Sequence, residues 1–291
     1  MGNEAEGGQM DVAYLDLLKK CLTASIYDES AWTVVQGPMS QDQSPAAFLK
    51  RKVVSFLNGR GLKLVRISKL NHDSRERGND WPLFGFTMVG NRRLDNLKFC
   101  LEQVVAQNVP GDFVETGVWR GGSSIWAAAV LCHLGAKDRL IWCCDSFEGM
   151  PKPNATDLEI QPTSDLSEVE FLVATETQVA DNFRKFGLLN QRVKFIKGWF
   201  CDSLPKAPIK QIAVLRMDGD LYESTSDALN NLFNKVSPGG FVIVDDYKSW
   251  KGCRKAIDEF RAAHAISAPL IDIDDHGVFW RNTSSIVTSS P

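Results

Sequence analysis

Four apolar stretches of this 291-residue chain each end in a carboxylate. They cover residues 112–115, 140–145, 212–218 and 241–246, and patterns typical of helices lie between them. Short apolar runs separated in this way are characteristic of buried parallel strands. The alternation predicts an α/β fold around a mostly parallel sheet, and two final strands near residues 270–280 predict a hairpin that makes its last edge antiparallel.

The acids that end these runs indicate where a ligand binds. In an open parallel sheet, ligands bind beyond the carboxyl ends of the strands. If the four strands are neighbours, five acids line one crevice, namely Glu115, Asp145, Asp218, Asp245 and Asp246. Such an edge favours a cation or a metal ion over a phosphate.

Composition excludes several classes of function. A net charge of −3 argues against nucleic acid as the main partner. The chain has no apolar run of about 18 residues, which excludes a membrane span, and its start lacks the basic and apolar regions of a signal peptide. Seven cysteines without a CxxC pair indicate neither a zinc site nor a disulfide framework. These features predict a cytoplasmic protein.

Two regions have a weaker pattern. Helical spacing over residues 11–24 and 48–57 predicts a helical N-terminal extension over residues 1–78. A catalytic domain over residues 79–291 follows, and a helix is predicted over its residues 91–106. We expect the extension to act as a lid or as a contact in a homo-oligomer, most simply a dimer. The polar, mixed-charge composition of residues 67–80 predicts an ordered loop or a mobile cover. The segment 146–175 is rich in Pro, Ser, Thr and Asp and is too long for an ordinary connection, so it predicts a lid or substrate loop.

The glycine-containing turn after the first strand favours one cofactor class. A dinucleotide would bring a pyrophosphate to this turn, and the carboxylate of Glu115 would repel it. S-adenosylmethionine instead brings a cationic head and a sulfonium, which Glu115 attracts. Gly117 would let the backbone approach the methionine portion, and Asp145 at the next strand end can accept both ribose hydroxyls.

Three aspartates at two strand ends predict a metal site. Asp218 ends one strand, and Asp245 and Asp246 end the next. Like charges this close are unfavourable unless a cation neutralises them, and oxygen ligands suit Mg²⁺. Helix capping by Asp218 or Asp246 is the alternative. Since a metal-bound Asp218 is a weak base, Asp220 is the predicted proton acceptor, with helix capping as its alternative role.

The same residues carry a resemblance that spans most of the chain. The sequence resembles the macrocin O-methyltransferase family, whose members methylate sugar hydroxyls of macrolide and aminocoumarin antibiotics. The resemblance rests on an ordered set of motifs at residues 14–23, 80–83, 87–90, 115–122, 145–151, 198–200, 216–225 and 238–247. Residues 25–70 and 152–178 match the family pattern poorly.

The resemblance implies a fold and a set of ligands. The fold is a class I methyltransferase (Rossmann-like), with a mostly parallel seven-stranded sheet and an antiparallel C-terminal hairpin. The implied Mg²⁺ ligands are Asp218, Asp245 and Asp246. The metal layout is also similar to catechol O-methyltransferase, but the lysine base of that enzyme would fall near Leu221. The implied cofactor contacts are Met88, Glu115, Thr116, Gly117, Ser123, Asp145, Ser146, Gly198 and Trp199.

The predicted function is therefore methyl transfer from S-adenosylmethionine, with Mg²⁺, to a sugar hydroxyl of a glycosylated metabolite. A catechol-like phenol is the alternative acceptor. A dinucleotide-dependent sugar-modifying enzyme needs a Gly-x-Gly turn, which the first loop lacks. Its Tyr-x-x-x-Lys pair has a counterpart in Tyr247 and Lys251, but these follow a strand end, and the adjacent Gly252 disfavours a helix there. A scaffold without catalytic activity would have no use for the three aspartates.

Overall fold

The computed structural model of the protein describes residues 3–27, 31–34, 44–62, 64–68 and 71–283. Its helices are α1 (Asn3–Leu22), α2 (Pro45–Asn58), α3 (His72–Arg77), α4 (Asn91–Ala106), α5 (Gly122–His133), α6 (Ala155–Ile160), α7 (Glu176–Lys185), α8 (Phe200–Ser203), α9 (Tyr222–Leu232) and α10 (Lys251–Ala263). Its strands are β1 (Ala31–Val34), β2 (Val65–Ser68), β3 (Asp112–Thr116), β4 (Ile141–Asp145), β5 (Val193–Lys197), β6 (Ile212–Met217), β7 (Val236–Val244), β8 (Ile271–Asp272) and β9 (Val278–Arg281).

Seven strands form the central sheet, in the order β5-β4-β3-β6-β7-β9-β8. The first five in this order are parallel, and β9 pairs antiparallel with both β7 and β8. The predicted class I methyltransferase sheet with its antiparallel hairpin is therefore confirmed. The strand order reverses between β3 and β6, and this is the point at which α/β sheets bind ligands.

The two faces of the sheet bury different layers. Alternate residues such as Phe113, Val214 and Ile243 pack with α1, α4 and α5 in one apolar core. Their neighbours, such as Val114 and Leu215, face α9 and α10 in the second core. The strands are covered on both sides, which explains why they are almost continuously apolar in sequence.

Backbone hydrogen bonds beyond the strands keep the carboxyl ends aligned. Gly117 N donates to Cys144 O at 2.9 Å, Asp218 N to Thr116 O at 2.8 Å and Asp245 N to Met217 O at 2.9 Å. The loops after four neighbouring strands are thus fixed side by side. This alignment determines which side chains can meet above the sheet.

The structure differs from the sequence-based expectations in several segments. The strands β1 and β2 pair antiparallel, and neither was predicted. A short helix, α3, lies within the predicted loop of residues 67–80, and the Asn71 side chain caps it. A second short helix, α6, lies in the predicted substrate loop with Asn154 as its cap. Elements of four to six residues are too short for periodicity to reveal them. In addition, β7 begins at Val236, five residues before the predicted strand.

The N-terminal helix packs on the same core as the catalytic layers. Leu15, Leu18 and Leu22 of α1 are buried against the α5 side of the sheet. Phe86 N donates a hydrogen bond to Leu22 O at 2.8 Å. The division of the chain at residue 78 stays a prediction. Among the described residues, the helices are too short or too polar to cross a membrane.

Candidate active site

Gly117 brings the loops after β3 and β6 into close contact. Its φ is 84°, in the left-handed region that favours glycine. A Cβ built on this residue would lie 1.8 Å from the carbonyl oxygen of Asp218. Only a residue without a side chain lets the predicted cofactor loop approach the predicted metal ligand this closely.

Asp145 holds the loops after β3 and β4 together. Its Oδ2 accepts hydrogen bonds from Val118 N at 2.6 Å and Trp119 N at 3.3 Å, and its Oδ1 accepts one from Phe147 N at 2.7 Å. Burial raises the pKa of Asp145, and these backbone donors oppose that rise. The carboxylate therefore organises the turn that was predicted to bind the cofactor.

A cavity of about 440 Å³ lies over the carboxyl ends of β4, β3 and β6. Six of the nine predicted cofactor residues line it: Met88, Gly117, Asp145, Ser146, Gly198 and Trp199. Its acids outnumber its single basic residue, Lys152; they are Asp145, Asp218, Asp220, Glu223 and Asp227. This surplus of negative charge favours a cationic ligand.

A second cavity, of about 200 Å³, adjoins the first. Met88, Gly117 and Trp119 are among the residues that line both. Two more predicted cofactor residues, Glu115 and Ser123, line only the smaller cavity. Thr116 is fully buried and lines neither of the two cavities.

All the predicted metal ligands and the predicted base face the smaller cavity. The structure brings Asp218, Asp220 and Asp246 together, with carboxylate oxygens within 4.8 Å of one another. Burial raises the pKa of each of these carboxyls, and repulsion from the neighbouring acids raises it further. Oxygen Oδ2 of Asp246 is buried without a hydrogen-bond partner. Such a group of oxygens fits a hard divalent cation.

Asp245 is turned toward two arginines. Its carboxylate accepts hydrogen bonds from Arg93 of α4 and Arg216 of β6. Burial acts to raise the pKa of Asp245, but the guanidinium groups of Arg216 and Arg93 outweigh it and hold that pKa below its usual range. Of the four aspartates at this site, Asp245 is therefore the one whose pKa is lowered, whereas the pKa values of Asp218, Asp220 and Asp246 are raised. The predicted trio of Asp218, Asp245 and Asp246 thus differs in one member from the trio that the structure groups most closely.

Glu115 lies beneath the cavities rather than free at their surface. It is 1% exposed, with Oε1 accepting from Arg216 Nη1 at 2.6 Å and Oε2 accepting from Ser124. Burial raises its pKa to about 7, although Arg216 and Ser124 act to lower it. Both oxygens already have donors, so a contribution of Glu115 to cofactor binding stays a prediction.

Comparisons with known proteins agree with this geometry. The family model described as macrocin O-methyltransferase (TylF) matches residues 11–282. The chain belongs to the macrocin O-methyltransferase family. Its fold and its membership make it an O-methyltransferase.

Individual relatives of the macrocin O-methyltransferase family cover nearly the whole chain. One is the 8-demethyl-8-(2,3-dimethoxy-alpha-L-rhamnosyl)-tetracenomycin-C 4'-O-methyltransferase of Streptomyces olivaceus, 46% identical over 95% of each chain. Another is the demethyldecarbamoylnovobiocin O-methyltransferase of Streptomyces niveus, 42% identical over 93% of each chain. The solved structure of the O-methyltransferase NovP superposes with a TM-score of 0.77, at 40% identity, over 94% of this chain and 100% of that chain.

An aromatic cluster attaches the predicted substrate loop of this O-methyltransferase to the glycine turn. The indole Nε1 of Trp119 donates to Phe171 O at 2.9 Å. The Phe171 ring stacks on Trp81 with centroids 5.8 Å apart, and the Arg120 guanidinium lies over it at 4.9 Å. Leu172, the next residue, lines both cavities. Segment 146–175 therefore forms part of the wall of the site, as a substrate loop would.

The histidines have minor roles in the described site. His276 lines the smaller cavity, where its Nδ1 lies 2.6 Å from Ser249 Oγ and its Nε2 contacts Asn79. His72 begins α3 and lines neither cavity.

The two buried arginines are the functional residues that sequence analysis missed. Arg216 lies two residues before Asp218, and a period of two places both side chains on the same face of β6. That spacing was a signal available in the sequence. Arg93 belongs to a correctly predicted helix, but nothing in its local pattern indicates that it reaches Asp245, 152 residues later.

Proposed function

We propose that this O-methyltransferase transfers the methyl group of S-adenosylmethionine to a sugar hydroxyl of a glycosylated natural product. The observation that supports it most is the junction of the two cavities. The larger cavity is acidic and suits a cationic cofactor, and the smaller one contains the candidate metal ligands. They meet at Met88, Gly117 and Asp218, so a donor in one cavity can face an acceptor in the other.

The larger cavity supplies what S-adenosylmethionine needs. The cofactor, when bound, provides a methyl group on a positively charged sulfur. We assign Asp145 to the ribose and the Gly117 backbone to the methionine portion. Trp199, 38% exposed at the rim, offers its ring to the adenine. A dinucleotide is disfavoured because its phosphates would lie among five carboxylates.

The smaller cavity fits Mg²⁺, with Asp218, Asp245 and Asp246 as the proposed ligands. Mg²⁺, when bound, supplies the positive charge that lowers the pKa of an acceptor hydroxyl and orients it. Metal ligands must be ionised, and Arg93 and Arg216 keep Asp245 ionised. The unpartnered Oδ2 of Asp246 is free for the ion.

Asp220 is the proposed proton acceptor. Its pKa is raised well above the ordinary value by burial and by Asp218 and Asp245, and a base works best when its pKa lies near the working pH. Asp220 also lines both cavities. Its φ of 54°, in the left-handed region, turns the chain sharply after β6 and places this carboxylate beside Asp218. Trp81 and Trp119 also line the smaller cavity.

The acceptor class is proposed from the relatives. The Streptomyces olivaceus enzyme is named for the 4' position of a rhamnosyl-tetracenomycin, and the Micromonospora griseorubida relative, 39% identical, is a mycinamicin III 3''-O-methyltransferase. A catechol-like phenol is the second candidate, since Trp81, Trp119 and Trp250 line the acceptor cavity. Mass spectrometry of reactions with glycosylated polyketides, free sugars and catechol tests both. Methylation of catechol but of none of the glycosides would make a catechol-like phenol the favoured acceptor class.

Two substitutions test the division of roles among the acids. Asp245→Asn should weaken Mg²⁺ binding and abolish Mg²⁺-dependent turnover, yet leave S-adenosylmethionine affinity in calorimetry nearly unchanged. Asp220→Asn should keep Mg²⁺ binding and lose turnover by about 10²–10⁴-fold, the range of general-base catalysis. If instead Asp220→Asn loses the metal and Asp245→Asn keeps it, the trio grouped in the structure holds the ion. Full activity in chelator would show that the reaction does not require Mg²⁺.

We also propose that the enzyme is a homodimer formed through its N-terminal helices. Most of the large apolar side chains that are exposed in the described residues lie between positions 14 and 67. On α2 they include Phe48, Leu49 and Phe56, of which Leu49 is 64% exposed. A second copy of this chain is the occupant we propose for this surface. Leu49→Glu with Phe56→Glu should give monomers in sedimentation velocity, whereas Ile271→Glu, at an exposed site on β8, should leave the assembly unchanged.

A further inference from the structure

We infer that Arg216 is a positioning residue, a built-in counter-ion that keeps Asp218 and Asp245 together before the divalent ion binds. The inference deepens the proposed function and rests on its metal site. It assigns to one arginine a task distinct from binding cofactor, metal or acceptor. Without that task, the site would form only when the metal is present.

Register explains why Arg216 reaches acids from three strands. Arg216 pairs with Glu115 of β3 on one side and with Ile243 of β7 on the other. Asp218 lies two residues after Arg216, and Asp245 lies two residues after Ile243. A period of two places all four polar side chains on the same face of the sheet.

The guanidinium contacts each of these acids. Nη1 donates to Glu115 Oε1 at 2.6 Å, and Nη2 donates to Asp218 Oδ2 at 3.0 Å and also contacts Asp245. Arg216 is 2% exposed, so water cannot replace it. One planar donor group therefore connects the ends of β3, β6 and β7. A lysine carries its three donors on one nitrogen and lacks the planar fork that spans these strand ends.

Charge balance makes this contact necessary. Five acids surround Arg216 or the acids that it binds: Glu115, Asp218, Asp220, Asp245 and Asp246. The other described cation that contacts them is Arg93, which shares its charge with Asp274 at 3.0 Å. Removal of Arg216 would leave Glu115 and Asp218 without a cation in direct contact. Their repulsion would then be relieved by a bound metal ion or, without one, by proton uptake.

The test compares thermal stability with and without metal. Arg216→Met should lower the Tm in chelator much more than in millimolar Mg²⁺. The Mg²⁺-induced rise in Tm should then be at least about twice that of the wild type, because the metal takes over the role of the lost cation. Arg139→Met is the matched control. Arg139 is partly buried and donates to Gly111 O and Val109 O, at 2.6 Å each. These contacts lie at the amino ends of β3 and β4, whereas the site lies at the carboxyl ends. The Arg139→Met substitution should lower the Tm by the same amount in chelator and in Mg²⁺.

A second variant keeps the test decisive if Arg216→Met does not fold. Arg216→Lys retains one charge without the planar fork, so its Mg²⁺-induced rise should lie between those of the wild type and Arg216→Met, or above the wild type where only R216K folds. A wild-type response to Mg²⁺ in R216K, or losses in R216M that are equal in the two buffers, would show that Arg216 is merely structural. If the wild type itself shows no Mg²⁺ response in Tm or calorimetry, the metal part of the proposed function fails instead.

Discussion

Gly117→Ala tests whether close contact between the loops after β3 and β6 sets the geometry of the site. Two costs are expected, and they can be separated. The first is conformational: at φ 84° an alanine costs about 1–2 kcal/mol relative to glycine. The second is steric, since the new Cβ would lie 1.8 Å from Asp218 O. Real Cβ contacts essentially never fall below 3.0 Å, so this carbonyl must retreat by about 1.2 Å.

The matched control is Gly135→Ala, which carries the first cost without the second. Gly135 has φ 70°, and a Cβ there would meet no atom within 4 Å. It lies between α5 and β4, at the opposite edge of the sheet from the site. This variant should lose about 1–2 kcal/mol of unfolding free energy, a few degrees in Tm, and keep its kcat.

Gly117→Ala should lose at least as much stability and, in addition, should lose kcat by about 10²-fold. A displacement of about 1 Å at a reacting group has an effect of that size, and Asp218 is the acid displaced. Chemical denaturation and initial-rate kinetics at saturating S-adenosylmethionine measure the two costs separately. Equal kcat values for Gly117→Ala and Gly135→Ala would refute the idea that this close approach positions Asp218.

Three more outcomes concern the acids and the substrate loop. In chelator, the free energy of unfolding should fall as pH rises above 3.8, because the folded pKa values of Asp220 and Asp246 lie above the unfolded value of 3.8 and folding takes up protons. In Mg²⁺ the free energy of unfolding should instead rise with pH. Denaturant titrations of the wild type and of an Asp220→Asn, Asp246→Asn double variant at several pH values measure how much of the pH dependence comes from these two acids. Asp145→Ala removes an acceptor of three backbone N–H groups, at about 1.5–3 kcal/mol per charged hydrogen bond, so Tm and cofactor affinity in calorimetry should both fall. Phe171→Ala should raise the KM for the acceptor about tenfold through the loss of its ring contacts with Trp81 and Trp119. An unchanged KM would show that these ring contacts of the loop do not contribute to acceptor binding.

Much of the fold was predictable because buried helices and strands place apolar residues at regular intervals in the sequence. The helix predicted over residues 91–106 has those bounds in the structure. The apolar runs that end at Glu115 and Asp145 became neighbouring parallel strands. Strand order followed from the resemblance to the family, since periodicity alone contains no information about which strand lies beside which.

Short elements were beyond this kind of prediction. Neither the pair β1 and β2 nor α3 has enough residues to show a period, and what fixes them is a partner strand or a side-chain cap. The buried Arg75 illustrates the same limit. It lies in α3, yet donates to Thr23 O at 3.2 Å and Met88 O at 3.1 Å, in segments far apart in sequence.

For the active site, the sequence by itself determined that acids end four apolar strands and that a glycine turn follows the first. Only the tertiary structure decided how those acids are shared: Asp220 joins Asp218 and Asp246, while Asp245 faces Arg93 and Arg216. The physical reason is that a local pattern specifies the face on which a side chain lies. The partner that neutralises a buried charge depends instead on how α4 packs over β6 and β7.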